Sequence, residues 1–254
     1  FSPDGRKILY VAWRPGAARC GVYLFDLDTG QEKVISRDIY DHNFPSFSPD
    51  GTKIVYTSWR SDTDGDGRIT FRDNTAIHLY NLTEEREYQL IRDNFDNLFP
   101  VFSPDGRYIA FLSHRRDTNR DGKIDSLDNP GIYLYDLTTG KERMVVSDEH
   151  YNKFPTFSFD SKRLVYIGSW RGRMVEERGF FENKGIYSVE VSGKNEIQIV
   201  SDKYYGCREV VSSPVDSHIA YISWGKGTNR GLYLADIERL PSLAELRKIS
   251  EDNL

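Results

Sequence analysis

The stretch Phe-Ser-Pro-Asp-Gly at residues 47–51, continued by Thr-Lys-Ile-Val-Tyr at residues 52–56, decides the fold of this chain. Proline presets the backbone of a tight turn, and glycine supplies the positive φ angle that the turn needs. The Ile-Val-Tyr run has the β-branched and aromatic residues that are typical of strands. The stretch therefore predicts a short strand that ends at Phe-Ser, a turn, and a second strand.

The same stretch recurs through the whole chain of 254 residues. Intact copies occupy residues 1–5, 47–51 and 102–106, and degraded copies occupy residues 157–161 and 212–216. A fixed period of about 50 residues is typical of folds built from repeated supersecondary units. The sequence predicts one domain over residues 1–254 with five readable repeats, at approximately residues 1–43, 44–98, 99–153, 154–208 and 209–254.

Each repeat continues with a third and a fourth strand. The third strand is apolar at consecutive positions, as at residues 131–135, and a fourth strand follows at residues 142–146. Consecutive apolar residues indicate a sheet that is covered on both faces. Four-stranded antiparallel sheets stacked around an axis meet that requirement. The sequence therefore predicts an all-β fold, a β-propeller of four-stranded antiparallel blades. It leaves open whether five blades close the ring or belong to a larger propeller.

The composition argues against several classes of function. A formal net charge of -5 gives no basic surface for a nucleic-acid partner. No run approaches the roughly 18 apolar residues of a membrane span, so none is expected. Cys20 and Cys207 are too few for a disulfide framework, and whether they pair with each other stays open. No nucleophile elbow, zinc-protease helix or phosphate-binding loop occurs, so the sequence predicts no catalytic residue.

The recurring Phe-Ser-Pro-Asp-Gly stretches resemble the repeats of TolB-type propellers, a periplasmic family, and the resemblance covers essentially the whole chain. It implies the propeller fold and a location in the periplasm or outside the cell. It implies function less directly, because similar repeats occur in periplasmic scaffolds, in propellers attached to peptidases and in some polysaccharide lyases.

Two insertions between second and third strands carry the pattern of a twelve-position calcium loop. We call residues 62–73 the first aspartate loop and residues 117–128 the second aspartate loop. In this pattern, oxygen ligands stand at positions 1, 3, 5, 7 and 12, and glycine at position 6 permits a sharp turn. The predicted ligands of the first aspartate loop are Asp62, Asp64, Asp66, the backbone carbonyl of Arg68, and Asp73. Those of the second are Asp117, Asn119, Asp121, the backbone carbonyl of Lys123, and Asp128.

Position 12 is aspartate in both loops, as in the dockerin-type loops that they resemble, where the common motif has glutamate. The alternative is a hydrated turn, since aspartate and glycine are frequent in loops for conformational reasons. Matched spacing in adjacent repeats favours metal binding. The sequence therefore predicts two Ca²⁺ ions that order long loops.

Two further features suggest binding surfaces. The insertion in the fourth repeat has apolar residues among charges, which predicts a protein partner at Met174, Val175, Phe180 and Phe181. The alternative is a loop that folds onto its own blade. Trp-Arg pairs end several second strands, at residues 13–14, 59–60 and 170–171. They fit either a ring of ligand-binding residues or packing between blades.

These observations lead to two hypotheses about function. The first is a calcium-stabilised, non-catalytic propeller outside the cytosol, acting as a protein-interaction scaffold or as a subunit or domain of a larger assembly. The second is a propeller domain of a peptidase or polysaccharide-degrading enzyme whose catalytic residues lie elsewhere.

Overall fold

The computed structural model describes residues 1–14, 20–36, 42–70, 73–91, 93–169, 184–201, 207, 209–224 and 230–238. All regular elements within these ranges are β-strands, and they form five sheets in chain order. The first sheet contains β1 (Lys7–Trp13), β2 (Cys20–Asp26) and β3 (Glu32–Ser36). The second contains β4 (His42–Phe47), β5 (Lys53–Ser58), β6 (Ala76–Asn81) and β7 (Arg86–Gln89). The third contains β8 (Asp96–Phe102), β9 (Tyr108–His114), β10 (Gly131–Asp136) and β11 (Lys141–Val146). The fourth contains β12 (Tyr151–Phe157), β13 (Arg163–Ser169), β14 (Lys184–Glu190) and β15 (Ile197–Ser201). The fifth contains β16 (Val210–Ser212), β17 (His218–Trp224) and β18 (Arg230–Asp236).

Every sheet is an antiparallel meander, because consecutive strands are also neighbours in the sheet. Three sheets have four strands, and the first and fifth have three among the described residues. The prediction of an all-β propeller with four-stranded antiparallel blades is confirmed. The predicted fourth strand at residues 142–146 is β11, which begins one residue earlier, at Lys141.

The Ser-Pro-Asp-Gly turns are held by hydrogen bonds between residues of the same repeat. In the second sheet, Ser48 Oγ donates to Asp50 Oδ1 at 2.5 Å, and Thr52 N donates to the same oxygen at 2.9 Å. These bonds, led by that from Ser48, lower the pKa of Asp50 to about 2. Gly51 has a φ angle of +69°, which only glycine adopts without strain. In the degraded fourth copy, Ser161 takes this position with a φ angle of +61°.

Apolar side chains fill the seams between neighbouring sheets. Ile132 and Leu134 of β10 face the fourth sheet and are almost fully buried. Tyr133 of the same strand faces the second sheet, where it joins Val55 and Ile77. The third strand is thus covered on both faces, which is why it has no alternation of polar and apolar residues.

Aromatic rings also stack inside each sheet, across the second and third strands. The five pairs have ring centroids 5.5–5.9 Å apart and are Tyr10–Tyr23, Tyr56–His78, Phe111–Tyr133, Tyr166–Tyr187 and Tyr221–Tyr233. Face-to-face offset stacking of this kind adds to the free energy gained by burying the rings.

A bulge recurs in the first strands of the three middle sheets. Phe44, Phe99 and Phe154 have φ angles of +53°, +54° and +50°, and the pairing register shifts at each of them. Their rings pack across the sheets, with centroids 3.9 Å apart for Phe44–Phe99 and 5.0 Å apart for Phe99–Phe154. The recurring Phe-Pro dipeptide is the mark of this cluster in the sequence.

Cys20 begins β2, and Cys207 packs among apolar residues between the fourth and fifth sheets. Both residues are described, and no disulfide joins them.

Candidate metal sites

The first aspartate loop is shaped by its own carboxylates. Asp62 Oδ1 accepts the N–H of Gly65 at 2.7 Å, and Asp62 Oδ2 accepts that of Gly67 at 2.9 Å. Asp64 and Asp66 each accept the N–H two residues later in the chain. Both glycines have left-handed φ angles, +77° and +79°. These turns bring carboxylate oxygens of Asp62, Asp64 and Asp66 within 4.8 Å of one another on the exposed surface.

Asp73, at position 12, closes this loop. Its Oδ1 atom accepts the N–H groups of Thr63 at 2.7 Å and Asp64 at 3.3 Å, and its Oδ2 atom accepts that of Thr70 at 2.7 Å. Asp73 is only 3% exposed. Burial opposes its ionisation, but the backbone hydrogen bonds outweigh burial and hold the pKa of the carboxyl below its ordinary value. Asp73 therefore ties the two ends of the loop together, and it lies outside the exposed group of three carboxylates.

The second aspartate loop repeats this framework. Asp117 Oδ2 accepts the N–H of Gly122 at 2.9 Å, and Asn119 Oδ1 accepts that of Asp121 at 2.9 Å. Asp121 in turn accepts the N–H of Lys123 at 2.9 Å. The two loops, separated by 55 positions in the sequence, both have left-handed φ angles at positions 4 and 6.

Asp128 closes the second loop as Asp73 closes the first. It accepts the N–H groups of Thr118 at 2.6 Å, Asn119 at 3.1 Å and Asp125 at 3.0 Å, and it is 1% exposed. Burial opposes ionisation here too, and the backbone hydrogen bonds again leave the pKa of the carboxyl below its ordinary value.

The donor set of each loop fits a hard divalent cation such as Ca²⁺, which prefers carboxylate, amide and carbonyl oxygens. Three carboxylates so close together repel one another unless a cation lies between them. In the second loop the middle ligand is the Asn119 amide, which also donates to Asp121 Oδ2 at 3.3 Å. In the first loop the structure places the predicted ligands at positions 1, 3 and 5 together. The position-12 carboxylates, Asp73 and Asp128, close the two loops.

The arginines that follow the second strands pack on aromatic rings. The Arg115 guanidinium lies 4.1 Å from the centre of the Tyr133 ring and 2.7 Å from Glu142 Oε2. Arg14 lies over Tyr23 and bonds Glu32 in the same way. Each of these contacts lies within one sheet and involves no tryptophan, so they decide neither alternative for the Trp-Arg pairs.

Arg60 makes the corresponding ion pair with Glu87, its Nη2 atom lying 3.0 Å from Oε2. Burial opposes ionisation of Glu87, but its hydrogen bonds, chiefly those to His78 and Arg60, hold the pKa of the carboxyl well below its ordinary value. The sequence reasoning missed the glutamate partners Glu32, Glu87 and Glu142. Their recurrence near the start of each fourth strand could have revealed them.

The proposed partner surface at Met174, Val175, Phe180 and Phe181 lies outside the described residues. The part of the chain that the structure describes contains no helix with the length and hydropathy needed to cross a membrane.

Comparison with known proteins identifies the family. The model for the TolB beta propeller domain matches residues 1–174. The chain belongs to the TolB β-propeller family. Among solved structures, this TolB-family propeller is similar to TolB from Acinetobacter baumannii, with a TM-score of 0.66 and 22% identity. That match covers 94% of this chain and 51% of TolB.

Enzymes share the same architecture. An oligogalacturonate lyase from Vibrio parahaemolyticus matches with a TM-score of 0.65 and 19% identity, over 95% of this chain and 62% of the lyase. Identities this low show the fold alone. Dipeptidyl-peptidase 5 from Porphyromonas gingivalis is 33% identical over 96 residues, which are 37% of this chain and 13% of the peptidase. This TolB-family propeller thus spans only part of the proteins that it resembles.

Proposed function

We propose that this chain is a calcium-stabilised, non-catalytic propeller that presents a protein-binding surface, as a scaffold or as a subunit or domain of a larger extracytoplasmic assembly. The observation that carries the proposal is the exposed group of Asp62, Asp64 and Asp66, together with the matching framework of the second loop. Two long loops with a matching hydrogen-bonded framework, in adjacent blades, are the arrangement that two bound cations would stabilise.

The residues of each loop would have two separate roles. The carboxylates and amide at positions 1, 3 and 5 would bind Ca²⁺, which supplies the positive charge that the exposed oxygens lack. The buried Asp73 and Asp128 carboxylates would hold the loop ends while the ion is bound. Since neither loop is flanked by helices among the described residues, binding would fix a surface in shape without the opening of a calcium sensor.

An extracytoplasmic location suits these sites. Calcium outside the cytosol is abundant enough to fill weak sites, of the 10⁻⁴–10⁻³ M order typical of extracellular modules. The family resemblance points to the same side of the membrane and to partners that are proteins. Met174, Val175, Phe180 and Phe181 stay the proposed partner contact.

Removal of the metal tests the calcium part of this proposal. We expect a chelator to lower the Tm of the purified chain by several degrees, and added Ca²⁺ to restore it, because an ion that binds only the folded state stabilises it. The matched control is Asp62→Asn combined with Asp117→Asn, which should make the Tm insensitive to chelator. An unchanged melt, with no metal in the purified protein by elemental analysis, would refute the proposal.

A second function, as the propeller domain of a peptidase, is favoured by the 33% identity with dipeptidyl-peptidase 5. It predicts that the full-length natural protein cleaves dipeptide chromogenic substrates, whereas residues 1–254 alone do not. Cleavage by the full-length protein would replace the scaffold proposal. Absence of cleavage would remove the peptidase.

A further inference from the structure

The exit of the first aspartate loop is held by the first strand of the next sheet. Thr75 stands two residues after the closing Asp73, and its N and Oγ1 atoms donate to Asp96 Oδ1 at 3.0 and 2.7 Å. Thr75 Oγ1 also lies 2.5 Å from the carbonyl oxygen of Asn97, whose N–H bonds the Thr75 carbonyl at 3.1 Å. Thr75 is 2% exposed and Asp96 is 9% exposed. This junction between two blades is therefore buried and well hydrogen-bonded.

Asp96 is connected to the second aspartate loop through one histidine. Asp96 and His114 are direct partners in the antiparallel pairing of β8 and β9. His114 is buried, and its Nδ1 atom makes no hydrogen bond among the described residues. It ends β9, three residues before Asp117 opens the second loop. Burial lowers the pKa of His114, and the Asp96 charge opposes this shift. The connection thus runs from Thr75 to Asp96 and, through the pairing of β8 with β9, to His114 at the start of the second loop.

When one partner of such a buried polar contact is held in place, the other partner is restrained as well. Breaking such a contact leaves a buried donor or acceptor without a partner and without water, which destabilises the folded state. An ion that fixes the first loop therefore also fixes Thr75 against Asp96, and through His114 it restrains the start of the second loop at Asp117. The second loop is then more ordered before it binds, so less conformational entropy is lost when a second ion binds there. The reverse holds equally, because thermodynamic coupling is reciprocal.

We propose that Asp96 and His114 are positioning residues that couple the two aspartate loops, so that an ion in either loop raises the affinity of the other. This inference rests on the proposed calcium function of the loops. It assigns the seam between the second and third blades a role beyond packing.

Calorimetric titration of the full chain with Ca²⁺, at fixed salt, tests the coupling. Asp62→Asn with Asp64→Asn disables the first loop and leaves the affinity of the second to be measured alone. We expect that affinity to be lower, by about fivefold or more, than in the intact chain. In an Asp96→Asn background, disabling the first loop should change the affinity of the second by less than about twofold.

Two further variants serve as controls for this comparison of affinities. Thr75→Val removes the contact with Asp96 from the other side and should abolish the coupling as well, so the test does not depend on Asp96→Asn folding. Asp28→Asn makes the same chemical change at an exposed site in the first sheet and should leave the coupling intact. Circular dichroism confirms that each variant is folded.

The outcomes separate this inference from the function on which it rests. Two ions that bind with independent affinities, unaffected by loss of the first loop, would overturn the coupling and leave the calcium function standing. Coupling that survives both Asp96→Asn and Thr75→Val would overturn the assigned route. No calcium binding to the unmodified chain would overturn both proposals.

Discussion

The two aspartate loops share one hydrogen-bonded framework and differ in the charge that they present at their surface. In both, the position-1 aspartate accepts the N–H of the position-6 glycine at 2.9 Å, and a buried aspartate closes the loop. The first loop exposes three carboxylates at positions 1, 3 and 5. The second has the neutral Asn119 at position 3.

We propose that the buried aspartates close the loops and that the exposed side chains at positions 1, 3 and 5 bind the ion. Asp73 and Asp128 have their oxygens occupied by backbone N–H groups, so they shape the loop whether or not a cation is bound. Asp64 and Asp66, by contrast, lie on the exposed surface, and each accepts one backbone N–H through its Oδ1 atom. Changes at the closing aspartates should therefore affect both loops alike, and changes at the exposed positions should affect them differently.

The largest effect is expected when a closing aspartate is changed. Asp73→Asn or Asp128→Asn places an NH₂ group against a backbone N–H and removes the charge from the remaining bonds. In the presence of chelator, we expect the free energy of unfolding to fall by about 2 kcal/mol in either variant, as measured by urea unfolding. The matched exposed change, Asp66→Asn, keeps an oxygen for the N–H of Arg68 and should then cost less than about 0.5 kcal/mol.

Acid titration provides the control for this prediction. The pKa values of Asp73 and Asp128 are lowered in the folded chain, so their contribution to stability is complete above the ordinary value of 3.8. That contribution is lost as the pH falls through the lower folded pKa. The Asp73→Asn variant should lose less stability over this acid range than the unmodified chain. Equal losses, or an equal effect of Asp66→Asn in chelator, would contradict the division between the two kinds of aspartate.

An exchange of charge between the loops should have an intermediate effect. Affinity for Ca²⁺ rises with the number of charged ligands. We expect Asp64→Asn to weaken the first site on the order of tenfold and Asn119→Asp to strengthen the second on the order of tenfold, about 1.4 kcal/mol in each direction. Calorimetry on the single variants measures both. Two shifts of the same sign would show that charge at position 3 does not set the difference between the loops.

The sequence was sufficient for the features that depend on local chemistry. The Pro-Asp-Gly turns, the apolar third strands and the spacing of aspartates predicted the meander, the covered sheets and the positions of both loops. Turn geometry follows from proline and glycine themselves, and a twelve-residue spacing is visible without a structure. The family resemblance pointed to the same fold.

Features that depend on neighbouring blades could not be predicted in this way. The position-12 aspartates were predicted as ligands, but their burial and their bonds to backbone N–H groups are visible only once the chain is folded. The contact between Thr75 and Asp96 joins the second sheet to the third, and no local pattern marks it. The cluster of Phe44, Phe99 and Phe154 depends on a bulge that a period-2 strand pattern does not reveal.

The smallest effect is expected at position 4, where the loops differ in strain. Gly65 and Arg120 both have left-handed φ angles, +77° and +64°. That conformation costs a residue with a Cβ atom about 1 kcal/mol, and glycine avoids the cost. A Cβ atom at Gly65 would meet nothing within 4 Å, so backbone strain alone decides the outcome.

We therefore expect Gly65→Ala to lower the free energy of unfolding by about 1 kcal/mol, measured in chelator. Arg120→Gly should raise it by less than that, because glycine also gains entropy in the unfolded chain. Lys123→Ala, at a position where the φ angle is not left-handed, is the matched control and should change little. If Arg120→Gly instead destabilised the chain, the Arg120 side chain would be making a contact that outweighs its strain, and the two loops would differ in packing as well as in charge.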